Sequence, residues 1–131
     1  MLKISPQLDD ELEALIHRII GCCIQVHREL GPGLLERIYV RAICLELLAN
    51  ELPFEVEKGV PVTYRGVVLC QQRLDLVVAG KVLLEVKAVE RLAPVHQAQV
   101  LSYLRVSGLR VGLLMNFNVT VLPDGLRRIV L

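Results

Sequence analysis

The chain has 131 residues, 53% of them hydrophobic and 4% aromatic, with 15 Lys and Arg against 14 Asp and Glu for a formal net charge of +1. That length suits one compact domain over residues 1–131. The mean hydropathy of +0.51 argues for a strongly buried sheet or an apolar surface closed by self-association, and the sequence shows no long basic stripe.

In chain order, Ser5-Pro6 marks the start of a first helix, with Asp9, Asp10 and Glu11 in its early turns favouring the helix dipole. Leu12, Ile16, Ile19, Cys23, Val26 and Leu30 follow at alternating spacings of four and three, one apolar stripe that Gly31-Pro32-Gly33 ends. A second helix is predicted from about Leu34 to Asn50, with Leu35, Ile38, Ala42, Leu45 and Ala49 facing inward and Pro53 as its stop. The period then changes to two. Strands are predicted over 54–58, 60–65, 67–78 and 81–88, with Tyr64-Arg65-Gly66 and Ala79-Gly80 as turns. Pro94 opens a third helix over about 95–107 that Gly108 closes; 111–117 reads as a strand, Pro123-Asp124-Gly125 as a turn and 126–131 as a last strand. The order α-α-β-β-β-β-α-β-β belongs to an α/β or α+β domain, a sheet flanked by helices from both ends of the chain.

No apolar run reaches the roughly 18 residues of a bilayer span, and no basic stretch leading into an apolar one reads as a secretory signal. The four cysteines, Cys22, Cys23, Cys44 and Cys70, form no CxxC pair and are expected as reduced, mostly buried thiols of a cytoplasmic protein rather than zinc ligands. His17 and His27 are expected as helix-surface or core residues rather than ligands. Charge is unevenly placed: residues 1–57 sum to −5 and residues 58–131 to +6. Either the C-terminal part faces a polyanion, through residues such as Lys58, Arg65, Arg73, Arg105, Arg110, Arg127 and Arg128, or the asymmetry is a chance one on solvated faces. The apolar fraction and the long stripe of the first helix lead us to expect a homodimer or larger assembly.

The stretch LDLVVAGKVLLEVKAV, residues 74–89, holds two acids and a lysine in an otherwise aliphatic run. Even positions (Leu74, Leu76, Val78, Val82, Leu84, Val86, Ala88) are apolar, and odd positions include Gln71, Arg73, Asp75, Glu85 and Lys87, so the charged residues share the face opposite the core. A two-residue loop at 79–80 would put Asp75 and Glu85 on opposite faces; a three-residue loop, such as Val78-Ala79-Gly80, puts them on one, and this odd length is expected because it aligns the polar positions of both strands. By spacing alone, that face is either a solvated salt-bridge ladder of Arg73, Asp75, Glu85 and Lys87, or a hard-cation site of two carboxylates and a main-chain carbonyl. His96, Gln99 and Tyr103 share one face of the third helix, which an ordinary amphipathic helix would also show. Glu36, in the first turn of the second helix, favours the helix dipole whatever its function.

Together these residues make a pattern. The chain resembles the GxxExxY family, a branch of the PD-(D/E)XK nuclease superfamily. The naming motif stands as Gly33-Leu34-Leu35-Glu36-Arg37-Ile38-Tyr39, the acid and (D/E)-x-K as Asp75 and Glu85-Val86-Lys87, and the helix motif Q-x-x-x-Y as Gln99 to Tyr103; Leu113–Phe117 and Arg127–Val130 match the closing segments. The proline of the superfamily name is replaced by Leu74. The resemblance implies an αβββαβ core with an extra N-terminal helix, and a Mg²⁺- or Mn²⁺-dependent nuclease acting on DNA or RNA. It implies Asp75, Glu85 and the carbonyl of Val86 as metal ligands, Lys87 orienting or activating the attacking water, Glu36 supporting a water or second metal, and Gln99 and Tyr103 shaping the site. A non-catalytic nucleic-acid-binding or assembly module on the same fold is the alternative, and an enzyme acting on a small phosphate compound stays open.

Overall fold

The computed structural model describes residues 7–131, so the expected helix start at Ser5-Pro6 lies outside the described residues. Helix α1 (Asp10–Leu30) begins where the Asp9 carboxylate accepts the Leu12 N–H at 2.8 Å, and ends where the Gly31 N–H donates to the His27 carbonyl. Helix α2 (Glu36–Ala49) follows, then β1 (Phe54–Tyr64), β2 (Val67–Val78), β3 (Val82–Lys87), α3 (Pro94–Ser107), β4 (Val111–Asn116), a 3₁₀ turn over Leu122–Gly125 and β5 (Leu126–Val130). The fold is α+β: a five-stranded mixed sheet in the order β1-β2-β3-β4-β5. All neighbours are antiparallel except β3 and β4, which are parallel and joined through α3.

The sheet separates two apolar clusters. On one face Leu76, Val78, Val82, Leu84, Val86, Val111, Leu113 and Met115 pack with Ile16, Ile19, Cys23 and Val26 of α1 and Tyr39, Ile43 and Leu47 of α2. On the other, Val77, Leu83 and Leu114 pack under Val100 and Leu104 of α3. The odd face of the hairpin is therefore covered by a helix at Val77, Leu83 and Glu85, while Gln71 and Arg73 further out stay exposed. Gly112 allows this approach, because a Cβ there would lie 2.7 Å from Val100 Cγ1.

Four expectations need correcting. First, the segments 54–58 and 60–65 are one strand: Gly59 lowers strand propensity, but it stays in the ladder opposite Arg73. Second, the inward face of α2 is Tyr39, Ile43 and Leu47; Leu35, Ile38, Leu45 and Ala49 are exposed. This helix is apolar on more than one side, and the side that meets α1 and the sheet is the one buried. Third, the stripe of α1 lies within the core, joined by Cys22 and His27, while Leu30 is 39% exposed, so α1 presents no apolar face for self-association. Fourth, Leu74 packs under α3 with Val77 and not with the other even positions. That change of face occurs beside Glu57, which the β1–β2 register places opposite Asp75 and whose φ of 50° is left-handed.

Beyond this point the β1–β2 hairpin outruns the sheet. β2 pairs with β3 only at Leu76, Val77 and Val78, so the outer part of the hairpin is an arm on which Tyr64, Val67, Val68, Leu69 and Cys70 are exposed. Cys22 and Cys23 are buried as expected, Cys44 is half-buried, and all four thiols are free. None of the described helices is long and apolar enough to cross a membrane.

Candidate active site

The β2–β3 turn has the odd length that unites the acids. Val78 pairs with Val82, the three residues between form the loop, and Ala79 (φ 53°) and Gly80 (φ 65°) are both left-handed. The loop is Ala79-Gly80-Lys81, one residue later than Val78-Ala79-Gly80. Continuing the register from Leu76 opposite Leu84 brings Asp75 opposite Glu85. Here β2 and β3 part, and the carboxylates replace the ladder. Glu85 Oε1 accepts the Asp75 N–H at 3.2 Å, and Asp75 Oδ2 accepts the Val86 N–H at 3.0 Å. Each acid is thus held by the other strand's backbone with its second oxygen left over.

Glu85 is only 5% exposed. Burial, and next the neighbouring Asp75 charge, push its pKa up to about 8, although Lys87 opposes the rise. Tyr103 is half-buried on α3, and its pKa is raised by burial and then by Glu85 and Asp75, so the phenol lies in the field of the pair. Gln99 is half-buried one turn earlier on the same helix face. His96 is engaged differently: its Nδ1 accepts the Ala93 N–H at 2.9 Å and caps α3. The half-buried Lys87 makes no ion pair among the described residues, and neither does Arg73, Asp75 or Glu85, so the salt-bridge ladder does not form.

From α2, Glu36 is brought to Asp75 and not to the rest of the set. It lines a cleft of about 490 Å³ together with Asp75, Glu57, Val56, Arg37 and Arg41. The motif around it has structural causes. Gly33 is left-handed at φ 103°, and the Tyr39 hydroxyl donates to the Gly31 carbonyl at 2.6 Å and accepts the Leu34 N–H at 3.1 Å. Tyr39 is fully buried and stacks on Phe117 with ring centroids 4.6 Å apart. The tyrosine ties down the loop that delivers Glu36.

Sequence reasoning missed Asn116. It is 2% exposed, and its amide accepts from the Val89 and Asn118 N–H groups and donates to the Val89 carbonyl, fixing the chain just after Lys87, which it pairs with in the sheet. The available signal is a single amide in the apolar run LLMNF. His27, read as a core or surface residue, is a core one: Nε2 lies 2.9 Å from the Val119 carbonyl and 3.2 Å from that of Phe117.

The donor set fits a hard divalent cation. Two opposed carboxylates in a partly desolvated seam, each with an oxygen to spare, favour a cation between them, and Mg²⁺ is commonly held by one or two carboxylates with water completing its shell. Among the described residues no three His, Cys, Asp or Glu side chains form a ready-made cage, so main-chain and water oxygens would complete the ligand set.

A profile of the PD-(D/E)XK nuclease superfamily matches residues 13–129, a span that contains Glu36, Asp75, Glu85, Lys87, Gln99 and Tyr103. No curated protein and no solved structure matches the chain. With the profile covering nearly all of a mixed sheet flanked by helices, the chain belongs to the PD-(D/E)XK nuclease superfamily.

Proposed function

We propose that the chain is a Mg²⁺-dependent nuclease that hydrolyses phosphodiester bonds of nucleic acid, with the site formed by Glu36, Asp75, Glu85, Val86, Lys87, Gln99 and Tyr103. The observation that carries this reading is the reciprocal locking of Asp75 and Glu85 where β2 and β3 part. A buried acid facing a second acid is costly to ionise, and the arrangement makes chemical sense when a cation occupies it.

Asp75, Glu85 and the Val86 carbonyl would hold the cation. When bound, it offsets phosphate charge and makes water a better nucleophile at neutral pH. The Lys87 ammonium orients the attacking water and stabilises charge growing on the phosphate oxygens. Glu36 would orient a water or a second cation from the cleft it shares with Asp75, and Gln99 and Tyr103 shape the side under α3. The roles of Gly33, Glu36 and Tyr39 favour the GxxExxY branch. We further infer a single domain over residues 1–131, acting in the cytoplasm as a homodimer, with the exposed Tyr64, Val67 and Leu69 as the motive for self-association.

The test is a nuclease panel of duplex DNA, single-stranded DNA and RNA with Mg²⁺, Mn²⁺ or chelator. Cleavage is expected only with the cations, and Lys87→Ala should lower the rate about a hundredfold or more with the fold intact. Equal cleavage by Lys87→Ala would remove the role assigned to the lysine. Nucleic-acid binding without cleavage under any cation would turn the protein into the alternative, a non-catalytic binding module.

A further inference from the structure

We propose that Arg37 and Arg41 are a clamp for the nucleic-acid backbone, gripping phosphates that flank the one presented to Asp75 and Glu85; this rests on the nucleic-acid reading of the site. Counted along the chain, positive charge belongs to residues 58–131, and these two arginines sit in the acidic part. The fold qualifies that assignment, because four of the ten C-terminal cations are engaged and Arg37 and Arg41 line the cleft of Asp75. Several C-terminal cations are engaged: Arg128 with the Glu13 carboxylate, Arg127 with the Asp124 and Leu126 carbonyls, Arg110 with the Gln7 carbonyl, and Lys58 with Glu55.

Arg37 and Arg41 differ from the C-terminal arginines that are free among the described residues, such as Arg73 and Arg105, in lining the cleft of Asp75. Both α2 arginines are exposed, and among the described residues neither guanidinium has a hydrogen-bond or ion-pair partner, although Glu36 and Glu57 line the same walls. Four residues apart on α2, they lie on one helix face with origins about 6 Å apart along its axis, so the two groups can reach different phosphates. A cleft lined by Glu36, Glu57 and Asp75 repels a polyanion. Two planar cations there offset that repulsion and offer paired N–H donors that match phosphate oxygens.

The test uses a fluorescein-labelled DNA duplex and fluorescence polarisation over a salt series, with Mg²⁺ present and Lys87→Ala in every chain to keep the probe intact. Arg37→Ala with Arg41→Ala should weaken binding at least tenfold at low salt and reduce the log–log salt slope by about 1.8. Arg37→Lys with Arg41→Lys should keep the slope while losing part of the affinity. The charge-matched pair Arg110→Ala with Arg128→Ala should leave the slope unchanged. In cleavage by chains that retain Lys87, the clamp variants should raise KM more than they lower kcat.

An unchanged slope in the first variant, an equal fall in the charge-matched one, or no binding by the parent chain even at low salt would each overturn the clamp. Binding that depends on both arginines, with no cleavage under any cation, would support the clamp and remove the nuclease reading. Normal cleavage by the Arg37→Ala, Arg41→Ala chain would do the reverse.

Discussion

Two parts of one strand, the inner end of β2 and its outer arm, have similar residues and opposite fates. Leu76, Val77 and Val78 are fully buried, whereas Val67, Val68 and Leu69 are more than half exposed. Both are aliphatic triplets of the strand that pairs with β1, with Leu69 at the bulge between Val68 and Cys70. The inner triplet also pairs with β3 and is covered by α1 and α2 on one face and α3 on the other. The arm has only β1. The number of packed layers decides burial, and it also decides where a rigid ligand pair can stand. Asp75 lies at the boundary, still fixed by the seam and already open to the cleft.

The largest effect is expected at the seam. Leu84→Ala, at a fully buried position opposite Leu76, should cost about 2–5 kcal/mol in chemical denaturation. A cost near that of a surface change would mean that the seam is not the stable part.

Next is a pH effect. The folded chain holds the Glu85 proton up to about pH 8, well above its usual value of 4.5. Its contribution to stability is therefore fully present below about pH 4.5 and is lost as pH rises through about 8. In chelator, Glu85→Gln should be more stable than the parent near pH 9 by an amount on the order of a few kcal/mol, and the gap should shrink toward pH 5. Melting curves with a gap independent of pH would contradict the raised pKa.

Smaller again is Tyr39→Phe. It deprives the Gly31 carbonyl and the Leu34 N–H of their partner, which should cost about 1–2 kcal/mol. Because the loop delivers Glu36, activity should fall along with the melting temperature; lowered stability with untouched turnover would show that the anchor does not position the acid.

The smallest change is expected on the arm. Leu69→Ala should stay within about 0.5 kcal/mol in a dilute monomer. A larger loss that grows with protein concentration would show that the arm is covered by a second copy, and would narrow the contrast between the two parts of β2.

The acid pair is legible in the amino-acid sequence alone, because a period of two and an odd-length turn together place Asp75 and Glu85 side by side, and these are local properties of the backbone. The same holds for Lys87 beside Glu85 and for Gln99 and Tyr103 on one helix face. The helices and most strand boundaries are also readable from period changes, Pro and Gly. The tertiary structure decided which side of α2 is buried, since Leu35-Ile38-Ala42 and Tyr39-Ile43-Leu47 are both apolar stripes and only the neighbours distinguish them. It decided that the polar face of the hairpin lies under α3, which is why Glu85 is buried and its proton held so firmly. It decided which arginines face the cleft and which are engaged elsewhere, because charge counted along the chain carries no direction in space. Periodicity is set by each residue's own geometry, whereas burial and electrostatic partners are set by whatever the fold brings alongside.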